Sequence, residues 1–205
     1  MSKNNDMKNM LKDTFVLLVI TLISGLVLGF VYQLTKEPIR IQQEKAVQKA
    51  CKAVFAQAES FEVLTYEPSA LLAGELKEEG VTIGTVFVAL DNGSNTLGYV
   101  VEASSAEGYG GNITLYTGIT NEGVLNGISI LSISETPGLG MNAQSVLVPQ
   151  FENVSATIFT YTKTGSTKDS EIDAISGATI TTEAVVDAVN GGVRVVTEDI
   201  MKGGN

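Results

Sequence analysis

Three glycine-bearing segments hold the residues best suited to bind a ligand. They read EGYGGNI over residues 107–113, ETPGLG over residues 135–140 and DAISGATITT over residues 173–182. Glycine lets a backbone approach a ligand closely, and these segments fall between predicted strands or before the last predicted helix. We therefore take the three segments as the candidate binding site.

The third segment offers a place for an anion. Thr181 and Thr182 are predicted N-caps of the following helix, with Glu183 in its first turn. Residues 176–179 then lie just before the helix, where free backbone N–H groups and the positive end of the helix dipole meet. From spacing alone, an ordinary capped helix start and a phosphate site both stay open.

Composition narrows the chemistry. The chain has 205 residues, 44% of them hydrophobic, and a formal net charge of −10. Such a charge argues against nucleic acid as a partner, because phosphate binding needs a basic surface. The sequence contains no histidine, which removes Ser-His and Cys-His nucleophile arrangements and the usual imidazole metal sites. We assign no catalytic side chain and no metal site to this chain. Cys51 is the only cysteine; we interpret it as a small buried hydrophobe, with a reactive or intermolecular thiol as the alternative.

A long uncharged stretch lies between Asp13 and Lys36. It amounts to about 22 residues, or roughly 33 Å of helix, enough to cross a hydrocarbon core of about 30 Å. We predict a short segment 1–13, a transmembrane helix 14–35, a stalk helix 36–58 with Pro38 in its first turn, and a domain 59–205. A cleaved signal peptide and a buried soluble helix are the alternatives. Lysines on both sides leave the orientation open.

The domain begins with strand patterns and ends with a helix. Residues 81–90 and 97–102 predict one hairpin, and residues 112–120 and 124–133 predict a second. Four such strands imply an antiparallel sheet. Helical spacing marks one apolar face of the last helix, which glycines 191–192 should weaken: Val185, Val189, Val193, Val196 and Ile200. The predicted fold class is α+β, an antiparallel sheet with flanking helices, preceded by one N-terminal transmembrane helix.

The third segment also resembles a known motif. Asp173-Ala-Ile-Ser-Gly-Ala-Thr179 matches the flavinylation motif of FMN-binding domains, Asp-x-x-Ser/Thr-Gly-Ala-Thr, whose last threonine receives FMN through a phosphoester. The segment 135–140 resembles the family's loop near the flavin, and residues 108–111 resemble a further signature. An N-terminal anchor followed by these motifs in this order is similar to the G subunits of Rnf-type complexes. The resemblance covers nearly the whole chain.

This resemblance implies FMN bound covalently to Thr179. It places other residues around the cofactor: Ser176, Gly177, Ala178, Glu135, Thr136, Gly138, Leu139 and Tyr109. It gives Asp173 a role in recognition by a flavin transferase that uses FAD as donor. Other interpretations stay open: turn stabilisation for Asp173, a core or rim aromatic for Tyr109, and a tight turn for residues 135–140.

The resemblance further implies an electron-transfer subunit of a complex that couples ferredoxin:NAD electron transfer to Na⁺ or H⁺ translocation, with no turnover of its own. The implied partners are other membrane, iron–sulfur and flavin subunits, the transferase during maturation, and membrane lipid. The domain would lie on the extracytoplasmic side of the cell (inner) membrane. The alternatives are the C subunit of the Na⁺-translocating NADH:quinone reductase, a stand-alone flavinylated carrier, or an anchored binding or scaffold domain without flavin.

Overall fold

The computed structural model describes the backbone of residues 2–203 and the side chains of Met7 and residues 10–203. Met1, Gly204 and Asn205, at the ends of the predicted segment 1–13 and the predicted domain, lie outside the described residues. The chain divides into two compact units, residues 1–45 and residues 46–205.

Helix α1 is Ser2–Val54; up to residue 45 it forms the described part of the first unit, and its residues 46–54 belong to the second unit. The most apolar 18-residue window of α1 has a mean hydropathy of 2.6 and is entirely unburied, so the helix is long and apolar enough to cross a membrane. Pro38 lies inside α1 rather than in the first turn of a separate stalk helix. Its ring removes one N–H donor, and the helix continues to Val54, short of the predicted end at residue 58.

The second unit is built on a six-stranded antiparallel sheet in which neighbours in sequence are neighbours in space. Its strands are β1 Ser60–Leu64, β2 Val81–Leu90, β3 Thr96–Ser105, β4 Ile113–Thr120, β5 Val124–Ser132 and β6 Val154–Ser155. A separate parallel pair joins β7, Thr160–Thr162, to β8, Glu171–Asp173. The predicted hairpins are confirmed as β2–β3 and β4–β5, and the α+β class is confirmed. Strands β1 and β6 and the parallel pair were not predicted.

Helices cover the sheet. They are α2 Ala70–Glu78, α3 Ala143–Val146, α4 Thr179–Arg194 and α5 Met201–Gly203, with 3₁₀ turns Gly140–Asn142 and Val148–Phe151 and a π-helical turn Val195–Ile200. Helix α2 was not predicted, although Ser69 caps it by accepting the Leu72 N–H at 3.4 Å. Arg194 of α4 pairs with Glu75 at 2.7 Å and with Glu79 at 2.9 Å, which links α4 to α2.

Both faces of the sheet are apolar. On one face the end of α1 and the turn after it pack on the strands through a small cluster: Ala50, Cys51, Val54, Phe55, Ala58, Ala89, Val100 and Tyr116. Cys51 is only 1% exposed, so its interpretation as a buried hydrophobe is confirmed. On the other face α4 and the π-helical turn after it bury the four predicted valines, while Ile200 is half-buried against the same core.

Strand β4 is held closely from both sides. A Cβ at Gly118 would lie 2.6 Å from the Val54 Cβ, and a Cβ at Gly192 would lie 2.3 Å from the Thr117 Oγ1. Gly192 therefore lets α4 approach the sheet closely. This close packing outweighs the loss of helix propensity that a glycine was predicted to cause. Ser105 pairs with Ile113 and Thr114 pairs with Ser132, so the loops after β3 and β5 leave the same end of the sheet.

Candidate functional site

A cleft of about 530 Å³ opens where these two loops meet the start of α4. Its volume lies within the range of roughly 300–1,000 Å³ usual for cofactor sites. The fold brings together residues from all three glycine-bearing segments at its lining: Tyr109, Glu135, Thr136, Leu139, Gly140, Gly177, Ala178, Thr179, Ile180 and Thr181.

Glu135 connects the three segments. Its Oε1 accepts the N–H of Gly110 at 3.1 Å, and its Oε2 accepts the hydroxyl of Thr181 at 3.0 Å. The side chain is 7% exposed. A Cβ at Gly140 would lie 2.5 Å from the Thr181 Oγ1, so the loop after β5 and the start of α4 are in direct contact. One carboxylate thus holds both loops against the helix.

Helix α4 begins at Thr179, and this corrects the prediction that Thr181 and Thr182 are its N-caps. Ala178 occupies the cap position and makes no side-chain hydrogen bond within the described residues. Thr181 and Thr182 lie inside the helix, both are buried, and their hydroxyls have other partners. The Thr182 hydroxyl accepts the Ile175 N–H at 3.1 Å and donates to the Ala178 carbonyl at 2.9 Å. The predicted acidic residue in the first turn is also wrong, since Glu183 comes after it.

The half-buried Thr179 is therefore the first helical residue, and it lies at the cleft. The first N–H groups of a helix have no partner within the helix, and here no side chain caps them in the described part of the chain. Gly177 precedes them with a φ of +77°, a left-handed turn that favours glycine. The arrangement suits an anion held beside the Thr179 hydroxyl.

Asp173 ends strand β8 and lies outside the cleft lining. Its carboxylate accepts the backbone N–H of Ser166. Its own N–H donates to the Gln150 Oε1 at 2.7 Å, and its carbonyl accepts from the Gln150 Nε2 at 3.1 Å. Gln150 thus fixes the start of the third segment, and no pattern in the sequence pointed to it.

The cleft has little charge. Its ten lining residues include one carboxylate, Glu135, and no lysine or arginine. Farther along α4, burial raises the pKa of Asp187 to about 6, and the charges of Glu183, Glu79 and Glu107 add to the shift. This acidic group does not line the cleft. Besides apolar surface, the cleft offers a ligand hydroxyls, backbone groups and a single anion.

Comparison with known proteins agrees with this arrangement. Residues 108–194 match the FMN-binding domain family, and residues 1–54 match the RnfG N-terminal region. The G subunit of the Na⁺-translocating ferredoxin:NAD⁺ oxidoreductase complex of Acetobacterium woodii is 32% identical over 93% of each chain. The proton-translocating counterpart of Clostridium ljungdahlii is 32% identical over 96% of this chain and 97% of its own.

The chain belongs to this family of G subunits. A third relative, the G subunit of the ion-translocating oxidoreductase complex of Methanosarcina acetivorans, is 30% identical over 94% of this chain and 97% of its own. The crystal structure of Shewanella oneidensis NqrC superposes with a TM-score of 0.57 over 80% of this chain and 99% of that one, at 14% identity, which shows a shared fold. The cofactor that the domain match supports is FMN.

Around the cleft the predicted site residues divide into two groups. Those of the cleft lining are given above; Asp173, Ser176 and Gly138 are not among the lining residues. Ser176 is exposed in the turn before α4, and the Gly138 carbonyl accepts from the Asn142 Nδ2 at 3.0 Å. Ile180 and Thr181 line the cleft but were not predicted as cofactor contacts. Helical spacing after Thr179 was the one signal for them, because residues in the first turn of a helix surround its start.

Proposed function

We propose that this chain is the membrane-anchored, FMN-carrying electron-transfer subunit of an ion-translocating ferredoxin:NAD⁺ oxidoreductase complex. The family relatives named for such complexes support this assignment. The chain's partners are then the other membrane, iron–sulfur and flavin subunits, and the chain has no turnover of its own. Two relatives of equal identity, 32%, are named for different ions, so the proposal covers Na⁺ and H⁺ alike.

FMN is joined to Thr179 through its phosphate in this proposal. The observation that carries it is the position of Thr179: a hydroxyl at the cleft, on the first residue of a helix without a side-chain cap among the described residues. A phosphate on that hydroxyl lies where helix N–H groups and the dipole stabilise negative charge. Gly177 and Ala178 keep the approach to the helix free of large side chains.

The low charge of the cleft supports a covalent link. A phosphate bound without one would meet no lysine or arginine among the ten lining residues. Charge-assisted hydrogen bonds are the strong ones, so helix N–H groups alone would hold the cofactor weakly. A phosphoester retains the cofactor in a site that stays open to redox partners.

The remaining lining residues suit a planar ring. Tyr109 is 71% exposed, Ile180 50% and Leu139 41%, and they offer apolar surface at the cleft. Thr136 adds a hydroxyl, and Gly138 gives the adjoining loop a left-handed turn with a φ of +79°. Bound FMN supplies a ring that accepts and releases electrons, while the protein orients it and sets its electrostatic surroundings.

Attachment requires a flavin transferase with FAD as donor. The Thr179 Oγ forms a bond to the phosphorus of the FMN half, the pyrophosphate P–O bond breaks, AMP leaves, and the hydroxyl proton passes to the leaving group or to water. Asp173 and Ser176 are the motif residues that the transferase would recognise. The hydrogen bonds of Asp173 to Ser166 and Gln150 give this segment a defined shape for that recognition.

The anchor is residues 14–35 of α1 in membrane lipid, with the FMN-binding domain on the extracytoplasmic side. The unburied apolar window of α1 and the match to the RnfG N-terminal region support the anchor. The extracytoplasmic side is what the resemblance to Rnf-type G subunits implies, and it is part of the proposal. Accessibility of a cysteine placed at exposed Glu122 to a membrane-impermeant maleimide in intact cells tests it, in a Cys51→Ala background. Labelling only after the cells are opened would contradict the proposed side.

Intact mass tests the attachment. The full chain made with a flavin transferase should gain the mass of FMN less one water, located on the peptide that contains Thr179, and should fluoresce in a denaturing gel. Thr179→Ala should lose the increment, whereas Thr164→Ala, an exposed threonine outside the cleft, should keep it. A wild-type mass equal to the bare polypeptide, or a fluorescent Thr179→Ala band, would overturn the link.

A further inference from the structure

One charged side chain lines the cleft, and it is buried. Glu135 is 7% exposed, and the other nine lining residues carry no carboxylate, lysine or arginine. Its two oxygens accept from separate donors, the Gly110 N–H at 3.1 Å and the Thr181 hydroxyl at 3.0 Å. An ionised carboxylate only accepts hydrogen bonds, so this pair of donors suits the charged form. The fold thus fixes one negative charge in the cleft wall.

Hydrogen bonding alone does not require a carboxylate at this position. A glutamine could accept the Gly110 N–H through its oxygen and donate to the Thr181 Oγ1 through its nitrogen. The Thr181 hydroxyl would accept that bond through its oxygen, and its own proton would be free to turn to another acceptor. Burying a carboxylate is costly compared with burying an amide. What glutamate adds to the two contacts is therefore its charge.

We propose that Glu135 is a positioning residue whose fixed negative charge lowers the reduction potential of the FMN held in the cleft. The inference rests on the proposed function, because it requires the flavin at this site. Each electron that enters the ring without a proton adds a negative charge. A nearby fixed anion in a partly desolvated site makes that addition less favourable. The same carboxylate keeps the two loops and α4 in place around the ring.

The test compares charge-removing variants of the full, flavinylated chain in detergent. Glu135→Gln keeps both contacts and removes the charge. Glu122→Gln removes an exposed charge at the β4–β5 turn, at the other end of the strands and roughly 25 Å away along them. The midpoint potential is measured by reductive titration with dithionite, followed by the flavin absorbance.

We expect Glu135→Gln to favour the reduced form about tenfold, a shift of ~30 mV to more positive potential for a two-electron couple. Glu122→Gln should leave the potential unchanged. Glu135→Asp, which keeps the charge, should stay near the wild-type value. A flavinylated Glu135→Gln with the wild-type potential, or a Glu135→Asp shifted as far as Glu135→Gln, overturns the proposal.

A second variant covers the case in which Glu135→Gln does not fold. Thr136→Lys places a positive charge on an exposed residue of the same cleft and leaves the buried carboxylate in place. It should also shift the potential to more positive values, and an unchanged potential contradicts the proposal. If the wild-type chain carries no flavin, its intact mass shows this before any titration. That outcome contradicts the proposed function and not the inference about Glu135.

Discussion

The end of α1 and the start of α4 pack on opposite faces of the sheet, and they differ in the polarity of what they bury. The α1 contact is made by Ala50, Cys51 and Val54, which are apolar and nearly fully buried. The α4 contact buries the hydroxyls of Thr181 and Thr182 beside its valines. Apolar packing suffices to attach a helix to a sheet, so the buried hydroxyls at α4 must have a further purpose.

That purpose is visible in their partners. Thr181 reaches the carboxylate of Glu135, and Thr182 holds the N–H of Ile175 in the turn before the helix. A buried hydroxyl is costly to the fold unless it is hydrogen-bonded, and both have partners. The contacts at the start of α4 therefore define the cleft, whereas the contacts at the end of α1 define only the packing.

The largest loss of stability should come from adding side-chain volume at the close contact on each face of the sheet. Gly192→Val drives atoms into Thr117, and Gly118→Val drives atoms into Val54. Overpacking usually costs about 1–3 kcal/mol, and we expect roughly 3 kcal/mol for each variant because both contacts are very close. Urea unfolding of the full chain in detergent measures this loss.

Flavin attachment should separate the two glycine variants. Gly192→Val displaces α4 and with it the residues of the cleft, so in-gel flavin fluorescence should fall in the fraction that remains folded. Gly118→Val should lose stability and keep its fluorescence. Equal loss of fluorescence in both variants would show that the two faces are not independent.

A single hydroxyl at the start of α4 gives the next largest effect. Thr182→Val conserves shape but leaves the buried N–H of Ile175 without its acceptor, which should cost about 2 kcal/mol. Thr182→Ser keeps the hydroxyl and loses one methyl group, which costs about 1 kcal/mol. We expect reduced flavin attachment in the valine variant and normal attachment in the serine variant, each measured by intact mass. The interpretation fails if serine and valine behave alike.

Local sequence patterns predicted the longer strands and the last helix. The two hairpins and the apolar face of α4 were recovered because alternation and helical spacing report directly on burial. Strand β6 has two residues and β8 three, too few for a pattern to be seen. Helix α2 was not predicted, although its sequence has a capping serine, Ser69, followed by apolar residues at helical spacing, Leu72 and Leu76.

The candidate site was also predicted only where its residues form a local sequence pattern. The glycine-bearing segments are recognisable motifs, and the structure brings them to one cleft. Thr181 was wrongly predicted as a cap of α4, and its hydroxyl has a partner 46 residues away, which no local rule considers. Thr182 was also wrongly predicted, although the partners of its hydroxyl, Ile175 and Ala178, are local. Gln150, which clamps Asp173 from 23 positions away, gave no local signal either. The role of a residue that acts through contacts distant in sequence can be assigned only once the fold is known.

The smallest effect should come from the apolar face. Cys51 is 1% exposed between the end of α1 and the sheet, so Cys51→Ala leaves a cavity about one atom in size and should cost about 1 kcal/mol in urea unfolding. Flavin attachment should stay at the wild-type level, because the cluster around Cys51 contains no residue of the cleft. Burial also means that a thiol reagent should modify Cys51 slowly in the native chain and quickly in urea, as counted by mass. Rapid native labelling, or a loss of flavin in Cys51→Ala, would show instead that the packing at the end of α1 is coupled to the site across the sheet.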